Sequence, residues 1–207
     1  LNTTTYFPSA EALEELLAMG MEEGMKSAMS QIDDVLADLA AFAADLPTEA
    51  QIIDDTHVRI SRVVKGPVGL VWRAHTEPEM LQRWQLGPDG WSMPVCEMSA
   101  EEGFSYRSMW ENDETGERFG FGGVIKEVAA PHRLVSTEKY LAPDDLEGKN
   151  SPETLNELTL KSTEGGTLVT YVITYPNAEI RDQILATGMA DGMEMSFARL
   201  EQQLADA

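Results

Sequence analysis

Glu97, Glu138 and Glu157 sit in strand-like runs of this sequence, where a carboxylate facing a pocket could serve as a general base. Tyr106 offers a phenol with the same opportunity. They stand among 36 acidic residues, and with so many carboxylates solvated faces account for nearly all of them. The histidines His57, His75 and His132 are far apart and none has the spacing of a metal ligand. His57 opens a strand and His132 follows Pro131 in a turn, so surface or structural roles are expected for all three. Cys96 lies in a strand without a motif and reads as a buried, inert thiol. The run "FGFGGV" (119–124) lacks the glycine spacing of a nucleotide loop and precedes no helix, so it reads as a bulge or bend in a sheet. The signatures GxSxG, HExxH and GxxxxGKS/T do not occur. On these grounds neither a metal nor a cofactor is expected.

The apolar residues are more orderly than the titratable ones. "GFSYRSMW" (103–110) alternates Phe104, Tyr106, Ser108 and Trp110 on one side of a strand against Ser105, Arg107 and Met109 on the other. Met189, Met193, Phe197, Leu200 and Leu204 recur at helical spacing near the end of the chain. A stripe of this kind is more often plain core than a ligand box, but thioethers and rings also make an adaptable cavity lining. Trp84, Tyr106, Trp110, Phe121, Met189, Met193 and Phe197 are therefore expected to face one interior cavity and to bind a small hydrophobic ligand. Gly188 and Gly192 are expected to permit close backbone packing.

The elements that must position these residues follow from pattern. Residues 9–44 predict one helix, with Ser9 as N-cap and Met21, Met25, Met29, Ile32 and Leu36 on one stripe. "DLPTEAQIIDDT" (45–56) reads as a polar, proline-containing linker. A strand "HVRISRVV" comes next, then two short helices started by Pro67 and Pro78. Six β-rich runs follow, at 92–98, 103–110, 118–128, 133–140, 154–162 and 167–175, with a loop over 141–152 and a hairpin turn at 164–166. Asn177 caps the last helix. An antiparallel sheet with consecutive neighbours can curl around one helix and leave a cavity between them.

A net charge of −21 argues against nucleic acid, which needs clustered Lys and Arg, and against anionic membrane surfaces. No run is apolar enough to span a membrane. One cysteine rules out an internal disulfide framework and fits a reducing cytoplasm.

Residues 57–207 resemble the activator-of-Hsp90-ATPase-homologue-like family of the START-like (Bet v 1-like, SRPBCC) superfamily. "GPVGLVWRAHTEPEMLQRW" (66–84), "GPDGWSMPVCEM" (87–98), "PHRLVSTE" (131–138) and "YPNAEIRDQILATGMADGM" (175–193) carry the resemblance. Gln85 and Phe104 depart from the family pattern, which often has a second Trp and a Gly-Gly there. The resemblance implies an α+β helix-grip fold, a curved antiparallel sheet around a long C-terminal helix, with a hydrophobic pocket beneath that helix. It also implies, for most bacterial members, no known catalytic residues. Binding of an apolar or aromatic molecule is the first reading; an enzyme of the cyclase, aromatase or hydratase kind is the second. A co-chaperone role ranks last, because the namesake's Hsp90-binding domain is not recognisable in residues 1–56.

The chain also repeats itself. A shift of 168 aligns Pro8, Ala10, Glu11, Leu17, Gly20, Met21, Gly24, Met25, Leu36 and Asp38 with identical residues from Pro176 to Asp206. About a dozen identities over about thirty ungapped residues mark a repeat. Residues 1–50 are thus expected to be a strand remnant and a duplicate of the grip helix, beside a START-type domain over 51–207. Leu1 stands where Met would begin a chain, so residues upstream are expected. A tandem of two such domains, a duplicated terminal helix kept as an arm and a convergent amphipathic helix are the readings, the last the least favoured by the ungapped identities. With no sheet of its own, the methionine stripe is expected to pack on the domain or in a homodimer.

Overall fold

The computed structural model describes residue 4, residues 6–86 and residues 89–206. Two units emerge, Leu1–Phe42 and Ala43–Ala207. In the first, Ser9 Oγ accepts the Ala12 N–H at 3.2 Å and starts α1 (Ala10–Ala18). The single helix expected over 9–44 is interrupted: Gly20 adopts φ +86°, and α2 (Met21–Ala44) begins after it. A left-handed residue cannot continue a right-handed helix, and glycine takes that conformation without a Cβ penalty. Met21, Met25 and Met29 are half-buried and Ile32 is exposed, while the Leu36 side chain lies outside the described residues. The expected strand remnant falls on the opening residues, of which 1–3 and 5 also lie outside them.

The stretch read as a linker holds a strand instead. β1 (Glu49–Ile52) pairs antiparallel with β2 (His57–Val64). Asp54 makes the turn: its Oδ1 accepts the Thr56 and His57 N–H groups, both at 2.9 Å. Such an Asx turn supplies locally what a glycine hairpin supplies by conformation. All four residues of β1 are exposed, so no apolar alternation marked it.

After β2 come α3 (Val68–Thr76) and α4 (Pro78–Trp84), then β3 (Trp91–Glu97), β4 (Ser105–Asn112), β5 (Arg118–Ala129), β6 (Arg133–Leu141), β7 (Glu153–Thr163) and β8 (Gly166–Thr174). They form one open curved antiparallel sheet in the order β1-β2-β8-β7-β6-β5-β4-β3. Asn177 Oδ1 accepts the Ile180 N–H at 3.0 Å and starts α5 (Ala178–Leu185). Gly188, at φ +81°, then separates α5 from α6 (Met189–Ala205). Ser9 and Asn177, and likewise Gly20 and Gly188, stand 168 residues apart, and each pair has the same backbone role, a cap in the first and a left-handed break in the second.

Phe197, Leu200 and Leu204 of α6 join Val64, Val71, Trp84, Leu158, Leu160 and Val169 in the main core. Between β5 and β6 the register slips at Ile125/Glu127, just past the glycine run. Gly123 lies where β5 crowds β6: a Cβ there would stand 1.8 Å from the Thr137 carbonyl oxygen and 3.1 Å from the Tyr106 ring. The glycine run therefore serves close strand approach at a bend. Gly123→Ala should cost about 1–3 kcal/mol of stability, since backbone rather than a flexible side chain obstructs the methyl group. Chemical denaturation checks this; a change within about 0.5 kcal/mol, the range of an unconstrained surface site, would contradict it.

Candidate functional site

Period-two alternation aims one set of side chains from each central strand at α6. β4 contributes Tyr106, Ser108 and Trp110, β6 contributes Leu134, Ser136 and Glu138, β7 contributes Asn156 and Leu158, and β8 contributes Tyr171 and Ile173. Cross-strand register sets Ser136 opposite Asn156 and Leu158 opposite Tyr171. They line two adjoining lobes of about 120 and 310 Å³, which share Gln85, Trp110, Phe121, Glu138, Asn156 and Tyr171.

Of the residues singled out from sequence, Trp84, Trp110, Phe121, Met189, Met193 and Phe197 border the larger lobe. Tyr106 borders the smaller one with Trp110 and Phe121. Trp84 is a fixed wall: it is 2% exposed, stacks on Phe197 at 6.0 Å, and donates its Nε1–H to Ala74 O at 2.9 Å. Trp110 is held by an Nε1–H bond to Gln85 O at 2.8 Å and meets Phe121 edge-on at 5.7 Å. Gln85, one of the departures from the family pattern, thus braces the wall through its backbone. Gly192 borders the larger lobe, and a Cβ there would meet nothing within 4 Å. It leaves space in the chamber rather than permitting the backbone contact expected of it.

The polar end was only partly foreseen. Tyr106 Oη lies 3.0 Å from Thr137 O and 3.1 Å from Glu138 Oε2, so its one proton faces two acceptors. The Asn156 amide also meets the Glu138 carboxyl, while Asn156 Oδ1 accepts from Thr154 Oγ1 at 3.2 Å. Burial pushes the Glu138 carboxyl above the usual range, against the pull of its bonds to Asn156 and Tyr106. The phenols of Tyr106 and Tyr171 are raised by burial first and by the Glu138 charge next, and Tyr175 is pushed up to about 12 for the same two reasons.

His75 is inside the protein, against the smaller lobe. Its Nδ1 stands 2.7 Å from Val71 O, which assigns the proton to Nδ1 and the lone pair to Nε2, a buried atom with no partner among the described residues. Burial lowers its pKa to about 4, so the ring is neutral at pH 7. The other candidates lie elsewhere: Glu97 is exposed, and Glu157 pairs with Arg133 at 2.9 Å. Cys96 is half-buried, its thiol pKa raised by burial, which keeps it protonated and unreactive. No group of three or more His, Cys, Asp or Glu among the described residues is placed to share a metal ion. None of the described helices is long and apolar enough to cross a membrane.

Alternation within β6, β7 and β8 carried the missing signal for Glu138, Asn156 and Tyr171. It could be used only once the register was known. His75 had no such signal, because a histidine on a short helix looks the same in sequence whether the helix turns it in or out.

Residues 65–205 match the family described as activator of Hsp90 ATPase homolog 1-like protein. The chain belongs to this family. Among solved structures, a protein from Rhodobacter sphaeroides is 29% identical, with a TM-score of 0.70 over 77% of this chain and 99% of its own. One from Nitrosomonas europaea is 25% identical, with a TM-score of 0.63 over 75% and 97%. A Mycobacterium smegmatis protein, 23% identical with a TM-score of 0.67 over 77% and 97%, shares the fold. No curated protein matches the chain.

The two titratable groups of the chamber give opposite pH slopes. Glu138 has a folded pKa above its unfolded one, so stability is lost as pH rises through the carboxyl range and the penalty is complete above the raised value. His75, at about 4 against an ordinary 6.5, costs stability as pH falls through that window. Glu138→Gln should therefore raise the Tm at about pH 8 and change it much less at about pH 4, with the His75 slope common to both proteins. Thermal unfolding at the two pH values checks this, and an equal shift at both would contradict the assignment.

Proposed function

We propose that this family member binds a small apolar or aromatic molecule in the chamber between the sheet and α6. The observation that carries the reading is an open, ring- and thioether-lined space inside a fold whose interior is otherwise close-packed. Trp110 and Phe121 offer flat faces, and Met189 and Met193 offer side chains that adapt to an irregular guest. The single cysteine suits work in a reducing cytoplasm. A second reading, a START-like enzyme, draws support from the convergence of Tyr106, Glu138 and Asn156, where a carboxyl could move a proton to or from a bound substrate. A fluorescence titration with N-phenyl-1-naphthylamine tests the binding reading. A saturable rise at one site per chain is expected, lost in Gly192→Leu, which adds a side chain at the border of the chamber where a Cβ meets nothing within 4 Å. No saturable rise, or an undiminished one in the variant, would contradict it.

We also propose that residues 1–42 act as an arm that pairs with the arm of a second copy. Met21, Met25, Met29 and Ile32 match Met189, Met193, Phe197 and Leu200, the apolar face of α6. Lys26 takes the place of Glu194, the partner of Arg62, so α2 is unsuited to α6's own seat on a sheet. Arm-to-arm pairing in a two-fold arrangement covers the stripe without displacing α6. Light scattering on the full chain should give twice 22.8 kDa, and Met25→Glu with Met29→Glu should return it to the monomer mass. A monomer in both cases would contradict the arm.

A further inference from the structure

The chamber is polar at one end and carries only one sign of charge. Among the described residues, its two lobes are bordered by a single carboxyl, Glu138, and by no Lys or Arg. The titratable groups facing Glu138 are Tyr106, Tyr171 and Tyr175, and the neutral His75 borders the same space. When ionised, the Glu138 carboxyl can accept at both oxygens, about four sites in all. It meets only the Asn156 amide and a Tyr106 hydroxyl whose proton is contested by Thr137 O. The Glu138 carboxyl therefore has more acceptor sites than it has donors among the described residues. The rings of Trp110 and Phe121 border the same space.

Building on the binding reading above, we infer that the ligand carries a hydrogen-bond donor head, an alcohol or an ammonium, that seats on Glu138, with its apolar body between Trp110, Phe121 and the methionines of α6. A carboxylate head is disfavoured by the same features: it would bring a second anion to Glu138 where no described residue of the lining supplies a cation. The fold thus selects against fatty or aromatic acids and for amines and alcohols of similar shape.

Four probes of one shape separate this inference from the binding reading itself: 1-methylnaphthalene, 1-naphthalenemethanol, 1-naphthylmethylamine and 1-naphthoate. Affinities are measured for the full chain by calorimetry or by displacement of N-phenyl-1-naphthylamine. The alcohol and the amine should each bind at least about tenfold more tightly than 1-methylnaphthalene, and 1-naphthoate should bind most weakly. In Glu138→Gln the amine's advantage over 1-methylnaphthalene should collapse, and in Glu138→Leu both advantages should fall towards one; circular dichroism confirms that each variant is folded. If none of the four binds, the ligand chamber itself is wrong. If 1-methylnaphthalene binds but the donors gain nothing over it, if 1-naphthoate binds as tightly as they do, or if the advantages survive in both folded variants, the head-group inference alone is overturned.

Discussion

Arg62 reaches from β2 to the face of α6 and holds Glu194 at 3.0 Å and Glu201 at 3.4 Å, with Leu46 O as a third acceptor. Its side chain is 8% exposed, and the two terminal nitrogens carry the pairing that a guanidinium so far from water needs, while Nε has no partner among the described residues. Glu194 in turn accepts the backbone N–H and the hydroxyl of Thr48, so the entry to β1, the strand β2 and the helix meet at one ionic knot. Lys65 N–H adds a bond to Glu201. This knot, with Phe197, Leu200 and Leu204 sunk in the core, fixes the C-terminal part of α6 against the sheet. Met189 and Met193, at the helix's N-terminal end, border the chamber while packing against the smaller core group of Val58, Ile60, Ile173 and Tyr175, and Gly192 between them adds no side chain to the space.

The second expense of the fold is Glu138. A desolvated carboxyl without a cation weakens the folded state at neutral pH, and a hydrophobic side chain of similar volume would be better for stability alone. His75 tells a related story, with a buried lone pair that no donor reaches. Such local conflicts cluster where a protein is built for something other than its own stability. Both groups border the same chamber, and this co-location, more than either group by itself, links the fold's energetics to the space proposed to hold a ligand.

Much of the architecture was legible in the sequence, because periodicity is a local property. The β runs, the two proline-started helices and the caps at Ser9 and Asn177 fall where alternation and side-chain chemistry put them. Two features were not legible. Gly20 and Gly188 sit within helical patterns that tolerate a glycine, and only the backbone reveals that each is left-handed. β1 is exposed along its whole length and is held by pairing with β2, so nothing apolar announced it. In the chamber, one strand's parity was enough to bring Tyr106 and Trp110 together. Choosing Glu138 from the many carboxylates needed the register of β6 on β7, a long-range fact that no window of sequence contains.

The most direct test of the account is a crystal structure of the full chain with 1-naphthalenemethanol. The account predicts the ring between Trp110, Phe121 and Met193, with the hydroxyl within hydrogen-bonding distance of the Glu138 carboxyl. A chamber filled by its own side chains, or a probe bound elsewhere on the protein, would contradict it.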